Sequence, residues 1–242
     1  MFVAEIRRSG QVPEAGHYWS RKSLDRISRS APASISLSLK SHANRQEVER
    51  LIEEVYARVY GGSIKEHYPV LLKACDDAGS VMAAVGLRDA DREPLFLERY
   101  LNAPIQIVMG SVFGKGIDRR NIVEIGNLVS LHSGVSVHLF AALAICLKQL
   151  GYTHAAVTAT ASLHRSFKRL GIASCVVADA EAERLVDKGA NWGTYYERDP
   201  RILVASVEAA MAALAPFLSL ECSSSALSLN SSFKDICREV LQ

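Results

Sequence analysis

A single acidic residue, Glu124, lies within the apolar segment 122–130. Burying an unpaired carboxylate in the middle of a sheet is costly, so this residue needs either a partner or a task. A desolvated carboxylate has a raised pKa and can serve as a general base. A purely structural ion pair with Arg88 or Arg120 is the alternative explanation.

Gly126 lies between Glu124 and Asn127 and predicts a β-bulge at this point. In a regular strand the side chains of Glu124 and Asn127 would face opposite sides of the sheet. A bulge would turn both to one face. It would also leave a backbone N–H free to stabilise a carbonyl oxygen that becomes an oxyanion.

Two hydroxyl-rich segments follow and could bind a ligand. Ser133 and Ser136 precede or open the next predicted helix, whose first N–H groups could bind phosphate or another anion. Thr158 and Thr160 end the next predicted strand and could present hydroxyls to a ligand. Capping of the following helix is the alternative role for these threonines.

Further candidates are clusters of polar, aromatic and basic residues. Glu98 and Tyr100 lie close together within segment 96–101, and segment 192–196 holds three of the ten Trp and Tyr residues. Such clusters can wall a pocket, and core packing explains them equally well. A predicted helix carries a basic face that is either solvated or a docking site for an acidic carrier protein; its residues are His164, Arg165, Lys168 and Arg169.

The sequence lacks the motifs of several common nucleotide-binding, hydrolase and metal sites. The 242 residues contain no GxxxxGK[ST], GxGxxG, GxSxG or HExxH motif and no CxxC pair, and the seven histidines are scattered. We therefore expect no metal site. A net charge of +2 argues against strong nucleic-acid binding.

Composition and hydropathy indicate a soluble globular protein, with 49% hydrophobic and 22% charged residues. Glu5, Arg7 and Arg8 interrupt the amino-terminal segment, so no secretory signal is expected. The apolar stretch 202–220 is better explained by a strand and a buried helix than by a membrane span. These observations predict a cytoplasmic protein without stable membrane insertion.

The pattern of elements predicts an α/β (α+β) fold with a mixed sheet and crossover helices. A basic, Ser-rich and partly flexible leader spans 1–42, a domain spans 43–215, and a Ser-rich linker and a helix span 216–242. Within the domain, hydrophobic spacing predicts helices over 44–60, 137–150, 162–170 and 208–214, with short helices within 95–114. Strands are predicted over 69–74, 80–88, 121–130, 154–160, 174–178 and 201–207.

Five of these segments together resemble the thermostable hemolysin family over about residues 81–204. They are Gly86-Leu87-Arg88, Leu95-Phe96-Leu97-Glu98-Arg99-Tyr100-Leu101, Val123-Glu124-Ile125-Gly126-Asn127-Leu128, Thr158-Ala159-Thr160 and Trp192-Gly193-Thr194-Tyr195-Tyr196. The family looks like a branch of the GNAT-fold acyltransferases, similar to acyl-homoserine-lactone synthases and N-acyl amino acid synthases.

The resemblance implies a mixed twisted sheet with a bulged central strand, and a thioester donor held where segments 122–130 and 154–160 splay apart. Glu124 matches a glutamate of the lactone synthases, but those enzymes have arginine where this chain has Asn127. The resemblance therefore does not imply that this protein forms a homoserine lactone. The [RQ]xxGx[GA] loop of acetyl-CoA enzymes is also incomplete, with only Gly134 present, which favours an acyl carrier protein over coenzyme A as donor.

The resulting hypothesis is an N-acyltransferase with no tightly bound cofactor and a phosphopantetheine-linked acyl thioester as co-substrate. Glu124 would take the proton of an amine or amino-acid acceptor, and Asn127 would orient a substrate. The donor would contact Leu128, Val129, Ser130, Ser133, Gly134, Val135, Ser136, Thr158 and Thr160. The acceptor or acyl pocket would be formed by Arg88, Glu98, Tyr100, Trp192 and Tyr196, and a carrier protein would dock on Arg165, Lys168 and Arg169. A non-catalytic lipid-binding protein or a membrane-active hemolysin is the alternative.

Overall fold

The computed structural model describes residues 32–114, 116–132 and 134–215, together with two short strands at 6–8 and 18–19. The predicted linker and helix over 216–242 and the candidate Ser133 lie outside the described residues. The strands are β1 (Ile6–Arg8), β2 (Tyr18–Trp19), β3 (Ser34–Leu39), β4 (Val70–Cys75), β5 (Val81–Asp89), β6 (Ile122–Ser130), β7 (His154–Ala159), β8 (Cys175–Asp179) and β9 (Arg201–Ser206). The helices are α1 (Arg45–Tyr60), α2 (Ile105–Phe113), α3 (Val135–Gln149), α4 (Ala161–Arg169) and α5 (Val207–Leu214).

The described strands form one mixed sheet in the order β2-β1-β3-β4-β5-β6-β7-β9-β8. Most neighbours are antiparallel, and β6 and β7 form a parallel pair joined by the crossover helix α3. Short 3₁₀ helices at Phe96–Tyr100, Arg119–Asn121, Ala182–Arg184 and Tyr196–Arg198 lie in the connections. The predicted α/β (α+β) class and the predicted order of helices and strands within the domain are confirmed.

The parallel pairing of β6 and β7 stops half-way along β6. It runs from Ile122 opposite His154 to Ile125 opposite Val157, and β6 continues to Ser130 without further pairing to β7. The two strands therefore separate after Ile125, so that a cleft opens in the middle of the sheet. This separation is the feature of the fold that positions the candidate site.

The predicted bulge is confirmed in the same strand. Gly126 lies opposite Gly86 and Val129 lies opposite Ala84. Two residues of β6, Asn127 and Leu128, therefore face one residue of β5, and the register shifts by one. The bulge begins where the pairing with β7 has just ended.

Helices cover the sheet on both faces, which explains why the central strands are almost continuously apolar. The larger core lies beneath α3, which is buried along most of its length, together with α4 and α5. A second core lies beneath α1, whose Val48, Ile52 and Val55 pack against Leu71 and Ala84 of the sheet. Burial of both faces requires any polar side chain in the central strands to find a partner.

Two predicted boundaries need correction. The sheet already includes β3, which pairs with β4 along its whole length, so the domain begins within the segment 1–42 that was predicted as a leader. Helix α3 begins at Val135 rather than at residue 137, after Gly134 in a left-handed conformation with a φ of 103°. Asn44, which precedes α1, forms no side-chain hydrogen bond to the first turn of that helix.

The apolar stretch 202–220 begins with β9 and α5, a strand and a helix as predicted, but only Val207 and Leu214 of α5 are buried. Its last five residues are not described. Within the described ranges, none of the helices combines the length and the apolarity that crossing a bilayer requires.

Candidate active site

The carboxylate of Glu124 lies inside the protein, with 1% of the residue exposed. Its oxygens accept hydrogen bonds from the backbone N–H of Phe96 at 2.7 Å and of Leu97 at 2.9 Å. The hydroxyl of Tyr68 donates a third. Burial raises the pKa of Glu124 from its ordinary 4.5 to about 7, although these hydrogen bonds and the charge of Arg88 act in the opposite direction.

Arg88 does not form the simple structural pair with Glu124 that was the alternative explanation. It lies opposite Glu124 in the register of β5 and β6. Its guanidinium group donates instead to Glu66 at 2.5 Å and lies 4.6 Å from the centre of the Tyr68 ring. Arg120, the other proposed partner, donates to Asp118. The buried carboxylate therefore owes its raised pKa to desolvation that no direct ion pair offsets.

The side chain of Asn127 lies on the same face as Glu124, as the bulge predicts. Its Oδ1 accepts a hydrogen bond from the backbone N–H of Tyr68 at 2.9 Å, while the Tyr68 hydroxyl reaches Glu124. Asn127 adopts a φ of 46°, a left-handed conformation that asparagine tolerates better than most residues. Because Oδ1 of Asn127 already accepts this hydrogen bond, that atom positions Tyr68 and does not bind substrate.

A cavity of about 410 Å³ opens beside this group. Of the predicted pocket residues, Tyr100 and Trp192 line it, as do Asn127 and Thr158. Tyr196 lies behind Tyr100, and the two hydroxyl oxygens are 2.7 Å apart. The remaining wall residues come from α1, the segment 63–68, the 3₁₀ helix 96–100, β6 and the segment 184–195, and include Tyr56, Lys65, Glu66, Tyr68, Arg99, Arg184 and Tyr195.

Glu98, which was predicted to contribute to the pocket, is not among the residues that line this cavity. Its carboxylate accepts hydrogen bonds from the N–H groups of Leu95 and Ile105 and forms an ion pair with Arg119 at 2.5 Å. Although partial burial opposes them, the contacts with Arg119, Ile105 and Leu95 lower the pKa of Glu98. The side chain therefore links the 3₁₀ helix to the start of α2 and to Arg119.

The threonines at the end of β7 have different surroundings. Thr160 accepts the N–H of Leu163 at 3.4 Å and caps α4, which is the structural alternative. Thr158 contributes to the cavity wall, and its buried Oγ1 has no hydrogen-bond partner among the described residues. A buried hydroxyl without a partner is costly unless a ligand or water completes it.

The other predicted donor contacts surround the bulge and the start of α3. The Ser130 hydroxyl donates to the carbonyl oxygen of His132 at 2.9 Å, and Val129 packs in the core beneath α1. Gly134 and the buried Val135 begin α3, with Ser136 half-buried behind them. Leu128 lines a second cavity of about 70 Å³. Its walls are almost wholly apolar, and Ile125 borders both cavities.

The predicted basic face is present on α4. Arg165, Lys168 and Arg169 are exposed, while Phe167 anchors the helix in the larger core. His164, on the same helix, is half-buried. In the part of the chain that the structure describes, no group of three or more His, Cys, Asp or Glu residues could hold a metal ion.

Tyr68 contacts both Glu124 and Asn127 and was not among the residues predicted from sequence. Tyr68 precedes β4 in a segment without an apolar period or a motif, so no local signal could have indicated its role. The same is true of Lys65 and Glu66.

A model of one protein family matches residues 38–211, and that family is described as Thermostable hemolysin. The chain belongs to the thermostable hemolysin family. The match includes the bulged strand, α3, β7 and the aromatic segment 192–196. The sequence matches no curated protein.

Solved structures show that this hemolysin-family chain has the fold of GNAT-like acyltransferases. FeeM, an N-acyl amino acid synthase from uncultured soil microbes, is 13% identical with a TM-score of 0.54, over 76% of this chain and 98% of FeeM. The AHL synthase LasI is 13% identical with a TM-score of 0.52, over 78% and 98% of the two chains. TofI, solved with an inhibitor and MTA, is 14% identical with a TM-score of 0.51, over 75% and 96%.

The raised pKa of Glu124 predicts how the stability of this hemolysin-family chain depends on pH. The folded state keeps a proton on Glu124 that the unfolded state has lost, so the resulting stabilisation is complete below pH 4.5 and disappears as the pH rises through about 7. The loss amounts to about 3 kcal/mol. In Glu124→Gln this contribution is absent.

Urea unfolding of both proteins at about pH 5 and about pH 8 measures this effect. The wild-type protein should lose stability relative to Glu124→Gln at the higher pH. Parallel pH dependences in the two proteins would contradict the raised pKa.

Proposed function

We propose that the protein is an N-acyltransferase. It would move a fatty acyl group from an acyl carrier protein or coenzyme A thioester to the amine of an amino acid or another small amine. The amine attacks the thioester directly, without a covalent enzyme intermediate. The single observation that carries this proposal is the buried carboxylate of Glu124 beside the bulge of a strand that splays from its parallel neighbour.

Glu124 is suited to act as the general base. A pKa of about 7 leaves a large fraction of the carboxylate ionised at neutral pH while making it basic enough to take a proton from the attacking amine. Its two backbone hydrogen bonds fix the carboxylate in position. An amine in the larger cavity would lie next to Tyr68, which contacts this group.

The cleft between β6 and β7 suits the thioester. Asn127 and Leu128 form the bulge beyond the last residue paired with β7, so N–H groups from Leu128 to Ser130 are the candidates for stabilising the thioester oxyanion. Thr158 lies across the cleft, and its buried hydroxyl would gain a partner when the donor binds. The start of α3 at Gly134–Ser136 would receive the phosphate of the pantetheine.

The two cavities differ in the chemistry that they can accommodate. The larger one has aromatic walls that include Tyr100 and Trp192. Its charged lining residues are three cations, which suit an acceptor with a carboxylate, and two acids; they are Lys65, Arg99, Arg184, Glu66 and Asp187. The smaller one is apolar, which suits the acyl chain, and shares the lining residue Ile125 with the larger. Fold likeness to FeeM and LasI, an N-acyl amino acid synthase and an AHL synthase, supports this assignment.

An acyl carrier protein is our preferred donor, because α4 exposes Arg165, Lys168 and Arg169 on one surface. Charge reversal at Lys168 and Arg169 should raise the KM for carrier-linked donors about 10-fold or more, because like charges would then face the acidic carrier. The KM for acyl-CoA should change much less. Arg50→Glu, at an exposed position of α1 on the other face of the sheet, is the matched control. Equal increases in the KM for carrier-linked donors and for acyl-CoA would show that this surface does not dock a carrier protein.

The proposed function is tested with carrier-linked and coenzyme A thioesters of several chain lengths, supplied with pooled amino acids and amines. Thiol release that depends on an amine, together with a new amide in the mass spectrum, is the expected result. A bound thioester that is never consumed would instead identify a binding protein. Leakage of liposomes without any acyl donor would identify a membrane-active protein.

A further inference from the structure

Tyr68 separates the Glu124 carboxylate from the larger cavity. Glu124 is 1% exposed and is not part of the cavity lining, whereas Tyr68 lines the cavity and donates its hydroxyl to Glu124. The other two groups that hydrogen-bond the carboxylate are the amides of Phe96 and Leu97. Amides do not exchange protons readily enough to carry one during catalysis. Of the three contacts, only the phenol can pass a proton on.

The protein fixes Tyr68 at this place by several independent contacts. Its ring lies so close to Gly126 that a Cβ there would be 2.4 Å from the ring Cζ, and a Cβ on Gly86 would be 2.7 Å from the Tyr68 Cβ. The backbone N–H of Tyr68 donates a hydrogen bond to Oδ1 of Asn127, and the guanidinium group of Arg88 lies over the Tyr68 ring. Both glycines and the bulge therefore form a recess that fits this tyrosine.

We propose that the Tyr68 hydroxyl relays the proton from the attacking amine to Glu124, an inference that rests on the proposed function. As the C–N bond forms, the amine proton passes to Oη of Tyr68 while the phenolic proton passes to the Glu124 carboxylate. The C–S bond then breaks, and Glu124 returns its proton by the same route to the leaving thiolate. The products are an amide and a thiol, and both side chains end in their starting states.

The surroundings of Tyr68 favour a neutral phenol between transfers. Burial and the nearby charge of Glu124 raise the pKa of Tyr68 well above its ordinary value, although Arg88 acts in the opposite direction. The titratable and charged groups that face it are Glu124 from β6, Arg88 from β5 and Tyr56 from α1. With its proton retained, the hydroxyl can donate to Glu124 and accept from an amine at the same time.

The test compares the pH–rate profiles of wild type and Tyr68→Phe with an active thioester and amine pair. Phenylalanine keeps the ring in its recess and removes only the oxygen. A relay predicts that kcat falls about 10²-fold at every pH, with little change in the KM for the amine. Tyr152→Phe, at a buried tyrosine of the core beneath α3, is the matched control and should keep the wild-type rate.

A tyrosine that only tunes Glu124 would give a different profile. Loss of its hydrogen bond would raise the pKa of Glu124 further, so the rate of Tyr68→Phe would fall at neutral pH and recover fully at alkaline pH. That recovery, or an unchanged rate, would overturn the relay and leave the proposed function intact. A wild-type protein that forms no amide with any donor would overturn both.

Discussion

Replacing Glu124 with glutamine is expected to lower the rate of amide formation by about 10²- to 10⁴-fold. Glutamine has the shape of glutamate but cannot take a proton from the amine. The substrates should still bind, because the carboxylate lies behind Tyr68 and does not line the cavity. The loss should therefore appear in kcat, with the KM values of donor and acceptor nearly unchanged.

The fold should persist in Glu124→Gln. Each carboxylate oxygen of Glu124 accepts a hydrogen bond from one backbone N–H group, that of Phe96 or that of Leu97. In glutamine one of these oxygens becomes an NH₂ group, which cannot accept, so one of the two N–H groups loses its acceptor. A stability cost of about 1–3 kcal/mol is expected from that mismatch. Circular dichroism and urea unfolding would separate this cost from the loss of activity.

Glu98→Gln is the matched control for Glu124→Gln. Glu98 also accepts two backbone N–H groups from the same region, but it pairs with Arg119 and lies outside the cavity lining. Its replacement should cost stability and leave kcat within a few-fold of wild type. Equal kcat in wild type and Glu124→Gln, or equal losses in both variants, would remove Glu124 from the mechanism.

The substitution Gly126→Ala is expected to abolish most activity by a different route. The added Cβ would lie 2.4 Å from Cζ and 2.5 Å from the hydroxyl oxygen of Tyr68, so the ring must move out of its recess. Movement of the ring breaks the contact with Glu124 and fills part of the cavity. We expect a loss of about 10²-fold or more in kcat/KM and a stability loss of about 1–3 kcal/mol.

Gly110→Ala provides the control for the extra methyl group. Gly110 lies in α2, and a Cβ at this position meets nothing within 4 Å. Alanine there should be neutral or should stabilise the helix by up to about 1 kcal/mol, without affecting the rate. A Gly126→Ala variant with the stability and activity of Gly110→Ala would show that the recess tolerates a larger residue.

The central part of the site was predictable from sequence because its signals are local. An acid inside an apolar strand predicts a buried functional carboxylate, and a glycine between Glu124 and Asn127 predicts the bulge that the register confirms. The order of helices and strands followed from hydrophobic spacing and from glycine and proline positions. Each of these signals operates over a few residues of chain.

The roles of individual polar side chains were less predictable. Glu98 is near Tyr100 in sequence, but its carboxylate pairs with Arg119 and two backbone amides and is not part of the cavity lining. Thr158 and Thr160 form one short motif, and only the structure distinguishes the helix cap of Thr160 from the buried hydroxyl of Thr158, which has no partner among the described residues. In both cases the partner that decides the role could not be identified from neighbouring residues.

The sequence by itself determined the mixed sheet, the buried acid and the strand on which it lies, because period and composition specify which segments are buried. Only the tertiary structure decided that Tyr68 contacts both Glu124 and Asn127 and also lines the cavity. Tyr68 and Asn127 are 59 positions apart, and Phe96 and Glu124 are 28 apart. Contacts over such separations depend on how strands pair and splay in the folded sheet, and no pattern in a short stretch of sequence encodes them.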